Sequence, residues 1–280
     1  MLNGSDERAG STGEGPASDR GSKAFELPAV DLNCDMGEGM DTDAAVFPFI
    51  SSANIACGGH AGDRETMHRT AELALEHGVA IGAHPSYPDR PNFGRVDLLG
   101  KTLAVEELEA VLLRQLASLQ AVCAVLGTRI RHVKPHGALY NRAARDMDVA
   151  GVIARTVAKF DPSLSFYGLS GSKMRRAAET AGLRFVSEVF ADRTYRPDGS
   201  LTPRSEPDAL IEDPAQAVAQ VLRMVKQGNV QTLFGPVGIA AETICLHGDG
   251  PHAVEFAGLI RRSLAAEGIR VAAPRRTVRR

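Results

Sequence analysis

The sequence predicts an α/β protein in which parallel strands close into a barrel. Three observations predict it. Strand-like and helix-like segments alternate along the chain as seven or eight β-α units, the pattern of a parallel sheet covered by helices. No G-x-G-x-x-G follows the first strand-like run, which argues against an open dinucleotide-binding sheet. Histidines, carboxylates and amides gather at the strand ends, where a barrel carries its active-site loops.

Each element has its own signal. The first strand is the apolar run 28–33 (PAVDLN), and the second is 52–56 (SANIA). Asp63 has the residue type of a helix N-cap; behind it Met67, Ala71, Ala74 and Leu75 share one face, and Gly78 stops the helix. Residues 79–83 (VAIGA) form a buried-strand pattern that runs into His84. A long helix follows at about 105–126, with Leu108, Val111, Leu112, Leu119 and Val122 at helical spacing and Gly127 as its stop. A short strand over 132–134 leads into Pro135-His136-Gly137, and a helix spans about 149–160. Residues 164–169 form a strand, 173–181 a helix closed by Gly182, and 184–190 another strand. A Pro/Gly-rich excursion over 192–213 precedes a helix at about 214–227. A late strand over 243–246, a helix over 253–266 and a short strand over 269–271 complete the pattern.

Composition bounds the function. A chain of 280 residues suits one barrel domain. The formal net charge of −2 lacks the basic excess of a nucleic-acid binder. The four cysteines, Cys34, Cys57, Cys123 and Cys245, lie far apart with no C-x-x-C pair, which fits a reducing compartment such as the cytoplasm. No run of 18 or more apolar residues suggests a membrane span. Residues 1–26, rich in Gly, Ser, Asp and Glu, form an expected disordered extension without the apolar segment of a signal peptide. The barrel domain is expected over 27–272 and a basic, solvated tail over 273–280.

The candidate chemistry sits at the strand ends. Asp31, Asn33, Asp35 and Glu38 follow the first strand; Asn54, His60 and Asp63 follow the second. His84 follows the third, and Lys134, His136 and Tyr140 follow the fourth. Glu188 and Arg193 belong to the sixth, and His247 to the late strand. A single such residue is more often a cap or a satisfied structural group. Several strand ends delivering His or carboxylate to one rim point to an active site. Asp35, Glu38, His60 and His84 are the types that bind a divalent metal, which lowers the pKa of bound water to about 7. No H-E-x-x-H spacing is present, and the same groups serve equally as acids and bases without metal. Gly100-Lys101-Thr102 lacks the glycine and the strand of a phosphate loop. Residues 168–173 (GLSGSK) join a strand to a helix and suit either an anion site or a tight turn.

Six stretches carry a resemblance. DLNCDMGEG (31–39), SSANIACGGHAGD (51–63), GAHPSYPDRPNFGR (82–95), HVKPHGALYN (132–141), EVFADRTY (188–195) and ICLHGD (244–249) resemble, in order, the LamB/YcsF family. The match covers roughly 28–266, and residues 229–241 show no family pattern. The resemblance implies an irregular seven-stranded β/α barrel similar to the glycoside hydrolase/deacetylase-like superfamily. It implies the A subunit of an ATP-dependent 5-oxoprolinase, which cleaves 5-oxo-L-proline to L-glutamate with Mg-ATP in complex with B and C subunits. On this reading His60, His84, His136 and Glu188 are the catalytic candidates. Asn33, Asn54, Lys134, Tyr140, Arg193 and His247 are the substrate- or phosphate-binding candidates, and Asp35 and Glu38 join His60 and His84 around a divalent ion. Two other readings stand beside it: a stand-alone metal-dependent deacetylase or lactam hydrolase, and a non-catalytic subunit that binds substrate or scaffolds its partners. Homo-oligomerisation is compatible with all three.

Overall fold

The structure, a computed structural model, describes Met1, residues 28–246 and residues 253–275. The extension expected before residue 27, the end of the basic tail and His247 lie outside the described residues, apart from Met1. The chain runs β1 (Ala29–Met36), α1 (Asp43–Val46), β2 (Ser52–Ala56), α2 (Arg64–Glu76), β3 (Ala80–His84) and α3 (Val105–Val125). It continues through β4 (His132–Val133), α4 (Gly137–Arg145), α5 (Met147–Phe160), β5 (Ser165–Leu169), α6 (Lys173–Thr180) and β6 (Arg184–Phe190). Then come α7 (Pro214–Gln227), the hairpin β7 (Asn229–Thr232) and β8 (Gly235–Gly238), β9 (Thr243–Leu246), α8 (Ala253–Ala266) and β10 (Arg270–Val271).

β1 to β6 and β9 pair in parallel, and β9 pairs back onto β1, so seven strands close a ring. β10 adds in parallel beside the first residues of β1. The barrel therefore has the seven-stranded, parallel form that the sequence predicts.

Capping residues fix the helix starts. Asp63 Oδ1 accepts from the Thr66 amide at 2.8 Å, and Asp146 accepts from the amides of Asp148 and Val149. Pro214 opens α7 behind the Asp213 cap, and Gly228 (φ +63°) closes it.

Strand alternation sorts the side chains. Leu32, Cys34 and Met36 of β1 turn outward into an apolar shell beneath the helices, as do Ile55 and Ile81. Leu108, Leu112, Leu116 and Leu119 of α3 are buried in that shell, each worth about 1.5–3 kcal/mol of burial. One 18-residue window of α3 has a mean hydropathy of 1.4, enough to cross a membrane, but these four leucines pack the helix into the core. Inward-facing residues are polar instead: Asp31, Asn33 and Asp35 from β1 meet Ser52, Asn54, Tyr167, Glu188 and Thr243, and Asn54 in turn meets His132. Barrel interiors are usually filled by branched apolar side chains, so this lumen departs from the general pattern.

Three local features differ from the expectation. β1 runs to Met36 rather than 33, which makes Asp35 an inward-facing strand residue. Pro135-His136-Gly137 suggests a break, yet α4 starts at Gly137. Glycine is required there: its φ is +56°, and a Cβ would stand 2.6 Å from the Gly94 carbonyl. The hairpin β7–β8 escapes a sequence reading because its two-residue turn, Leu233-Phe234, lacks the Asn-Gly or Asp-Gly chemistry of common hairpins.

Candidate active site

A cavity of about 680 Å³ opens at the C-terminal ends of the strands. Asp35, Glu38, His84, Lys134 and His136 line it, as do Arg193, Arg196 and Arg204. Phe93 and the turn Ser170–Ser172 also border it.

Beside this cavity, Glu38, His60, His84 and His136 bring four ligand atoms within 4.8 Å of one another. Glu38 Oε1 lies 2.8 Å from His60 Nε2, 3.4 Å from His136 Nδ1 and 3.8 Å from His84 Nε2. His84 Nε2 lies 3.2 Å from Asp35 Oδ2. The His60 and His136 rings stack at 3.6 Å, and His84 meets both edge-on.

Hydrogen-bond partners assign the tautomers. His84 Nδ1 faces the Lys134 carbonyl at 2.7 Å and must donate to it. His136 Nε2 faces the Phe93 carbonyl at 3.0 Å and must donate as well. Ser86 Oγ donates to the Tyr87 carbonyl, so it accepts from His60 Nδ1 at 3.0 Å. In their neutral forms all three imidazoles then turn a bare nitrogen toward Glu38. Burial keeps His60 neutral, pushing its pKa to about 3, and it pushes His136 well below the usual histidine value. His84 Nε2 and His136 Nδ1 are 2.9 Å apart. Two lone pairs at that distance repel unless a proton or a metal cation lies between them.

The donor set fits a divalent cation. Ligands 2.0–2.1 Å from a tetrahedral zinc stand about 3.3 Å from one another, and the separations here bracket that value. Neutral imidazole and carboxylate are the ligating forms. Each far ring nitrogen is anchored on a carbonyl or hydroxyl, as ligating histidines require. Phe93, the one non-glycine residue with positive φ (55°) among the described residues, supplies one of those carbonyls and sets its ring edge-on to His60 and His136.

Beneath this cluster the lumen is hydrogen-bonded throughout. Lys134 Nζ lies 2.9 Å from both Asp35 Oδ1 and Glu188 Oε1 and 3.0 Å from Cys245 Sγ. Burial alone would lower the lysine's pKa, but the two carboxylates hold it well above the usual value. Glu188 also accepts from Asn33 Nδ2 and from the Tyr140 hydroxyl. Burial, with Glu188 adjacent, raises the Tyr140 phenol well above its ordinary range. At the bottom, Asp31 accepts from Ser51, Ser52, Tyr167 and Thr243 at 2.6–3.0 Å. Burial raises its pKa despite those donors.

The structure thus gathers His60, His84, His136 and Glu38 at the mouth, with Asp35 one contact away. It places Asn33, Asn54 and Glu188 in the lumen, fully buried and away from the cavity lining. Lys134 and Tyr140 line the cavity while bonded to the lumen groups. Arg193 also lines the cavity, with Nε and Nη2 donating to the carbonyls of Ala209 and Thr202. His132 and Phe93 lie inside the resemblance stretches 132–141 and 82–95, yet the sequence singles out neither as a site candidate, and the fold brings both to the site.

The LamB/YcsF family model matches residues 30–279. A protein of Neisseria meningitidis serogroup C, named as the A subunit of 5-oxoprolinase, is 51% identical over 248 residues, 88% of this chain and 100% of the relative. A protein of the same name from Geobacillus kaustophilus is 50% identical over 261 residues, 91% of this chain and 100% of its own. The crystal structure of a lactam utilization protein from Thermus thermophilus superposes with a TM-score of 0.82 at 42% identity, covering 88% of this chain and all of that one. A match over nearly the whole barrel, with relatives at this identity, means that the chain belongs to the LamB/YcsF family.

Proposed function

We propose that the chain opens the lactam ring of 5-oxo-L-proline to L-glutamate, as the A subunit of a cytoplasmic, ATP-dependent 5-oxoprolinase working with B and C subunits. The observation that carries this reading is the cluster of Glu38, His60, His84 and His136 beside the cavity, with four ligand atoms within 4.8 Å of one another. The names of relatives that are half identical over the whole barrel supply the substrate.

An unstrained lactam is a poor electrophile, and its carbonyl oxygen is a poor leaving group. Phosphorylating that oxygen with Mg-ATP gives an activated imidate and ADP; water adds to it, the ring nitrogen departs protonated to leave an acyl phosphate, and a second water releases phosphate and L-glutamate. A divalent cation held by Glu38, His60, His84 and His136 would polarise the lactam oxygen and acidify an attacking water. Lys134, fixed between Asp35 and Glu188, keeps a positive charge at the cavity wall where negative charge develops. Asp35 Oδ1 is held by Lys134 and Asn54, which aims Oδ2 at His84 and makes the pair suited to pass a proton. Glu188, which does not line the cavity, acts by holding Lys134 and Tyr140. Arg204, Arg196, which is paired with Glu206, and Arg193, whose Nε and Nη2 bond carbonyls of its own loop, add cationic groups to the cavity lining, near which the substrate carboxylate or a phosphate would lie.

The same cation site suits a stand-alone metal-dependent hydrolase, which would need no ATP. One experiment separates the two: glutamate release from 5-oxoproline with Mg-ATP and the B and C subunits, with and without this chain. Release that requires both the chain and ATP is the expected result. Release by the chain alone without ATP would favour the stand-alone hydrolase, and no release from a folded, complete assembly would remove 5-oxoproline as the substrate.

A further inference from the structure

Among the described residues, the lumen contains one imidazole outside the mouth cluster. His132 lies in β4, fully buried, with its ring stacked on Tyr167 at 4.1 Å and 12°. Its Nε2 stands 2.7 Å from Asn54 Oδ1. The amide of Asn54 can face only one way. Its Nδ2 donates to Asn33 Oδ1 at 2.7 Å and to Asp35 Oδ1 at 2.8 Å. Asn33 spends its own Nδ2 on Glu188 and Thr243, so its oxygen is left to accept. Asn54 must therefore present its NH2 group upward and its oxygen to His132, and His132 must supply a proton from Nε2. Burial pushes the imidazole's pKa to about 3, so the ring is neutral and carries a single N–H.

Position 82 is part of the same arrangement. A Cβ on Gly82 would stand 2.0 Å from His132 Nε2 and 2.3 Å from Cδ2. The ring cannot yield, because Tyr167 stacks against it and Asn54 bonds it. The glycine is there for space.

We infer that His132 is a positioning residue for Asp35, acting through the side-chain amide of Asn54, and that Gly82 is the residue that lets it stand there. Without the Nε2 proton, Asn54 Oδ1 loses its donor and the amide is free to turn. A turned amide sets an oxygen against Asp35 Oδ1, and the carboxylate shifts relative to both Lys134 and His84. The chain His132, Asn54, Asp35 thus ties the bottom of the barrel to its mouth.

The test has two arms. In the first, spectra of the chain labelled with 15N-histidine should show His132 as the neutral Nε2–H tautomer, with an imidazole proton that exchanges slowly. Gly82→Ala should abolish that signal. An Nδ1–H tautomer, or an unchanged signal in Gly82→Ala, overturns the inference. The second arm rests on the 5-oxoprolinase reading and uses the complete assembly. His132→Phe keeps the ring and its stacking but has no donor; kcat should fall about 10- to 100-fold, the usual loss when a partner of a site ligand is removed. KM for 5-oxoproline should stay within about threefold of wild type, since substrate contacts are untouched. Gly82→Ala should follow His132→Phe. His132→Gln, whose amide N–H can reach Asn54 Oδ1, should keep kcat within a few-fold of wild type. Thermal melts establish that each variant is folded. Equal kcat in the folded Phe and Gln variants makes His132 a packing residue and ends the proposal. If the wild-type assembly releases no glutamate, the 5-oxoprolinase reading fails and the spectra alone decide the role of His132.

Discussion

The lumen and the mouth of this barrel are built from the same residue types and obey opposite rules. In the lumen, donors and acceptors match: Asp31 meets four hydroxyls, and Glu188 meets an amide, an ammonium and a phenol. At the mouth, metal-ligating groups crowd together. Glu38, His60, His84 and His136 turn a carboxylate and three imidazole nitrogens toward one point, with two of those nitrogens 2.9 Å apart. A buried polar network stabilises when every member is satisfied and costs stability when one is not. The lumen is scaffold. The mouth is where a cation and a substrate would complete the site.

The comparison breaks first at His136. His136→Ala should lower turnover about 10²- to 10⁴-fold, the range for loss of a group acting directly on the chemistry. The melting temperature of the chelator-treated chain should fall only modestly, from the lost bond to the Phe93 carbonyl and the lost stacking on His60. Isothermal titration with zinc should show weakened binding. Full activity with an unchanged zinc isotherm would make the mouth cluster structural.

Lys134 tests the lumen. Lys134→Met leaves Asp35 and Glu188 buried without their cation. Removing one partner of a buried pair costs about 3–5 kcal/mol, which urea denaturation would register as a lower midpoint. A loss under about 1 kcal/mol would mean that the two carboxylates take up protons and settle without the lysine. In the apolar shell, Leu112→Ala should cost about 2–5 kcal/mol and leave kcat of the folded protein unchanged. A change in kcat there would tie the shell to the site and erase the division between scaffold and mouth.

The fold was largely legible in the sequence. The alternation of strand and helix patterns, the Asp63 cap and the glycine stops all correspond to elements of the barrel. The direction of the polar residues was not. Asp31, Asn33 and Asp35 alternate with Leu32 and Cys34 as a half-exposed strand would, yet they face a closed, polar interior. Period two tells which residues share a face; it does not tell whether that face meets water or other strands. Asp31, expected at the rim, sits at the bottom. The contact between His84 and His136 spans 52 positions, and that between His132 and Asn54 spans 78. Pairings of that length come from ring closure and from no local pattern. Arg193 shows the same limit: its charge suggested an anion partner, and the fold directs two of its donors to carbonyls of its own loop.

Acid sharpens the comparison by a smaller effect. The pKa of both His60 and His132 is pushed to about 3 by burial, against an ordinary value of 6.5. The unfolded chain therefore binds a proton near pH 6.5 that the folded chain refuses until about pH 3. Stability that is fully present above pH 6.5 is lost as the pH falls through that window, by about 1.4 kcal/mol per pH unit for each histidine. The melting temperature of the metal-free chain should drop on the order of 5 °C for each such histidine between about pH 6.5 and 5. His132→Gln removes the lumen's share and should flatten the slope. Saturating zinc should hold the mouth histidines against protons and leave the His132 share in place. If zinc flattens the whole slope, the lumen and the mouth titrate as one unit. If His132→Gln changes nothing, His132 is protonated in the fold, and its bond to Asn54 is a charged one.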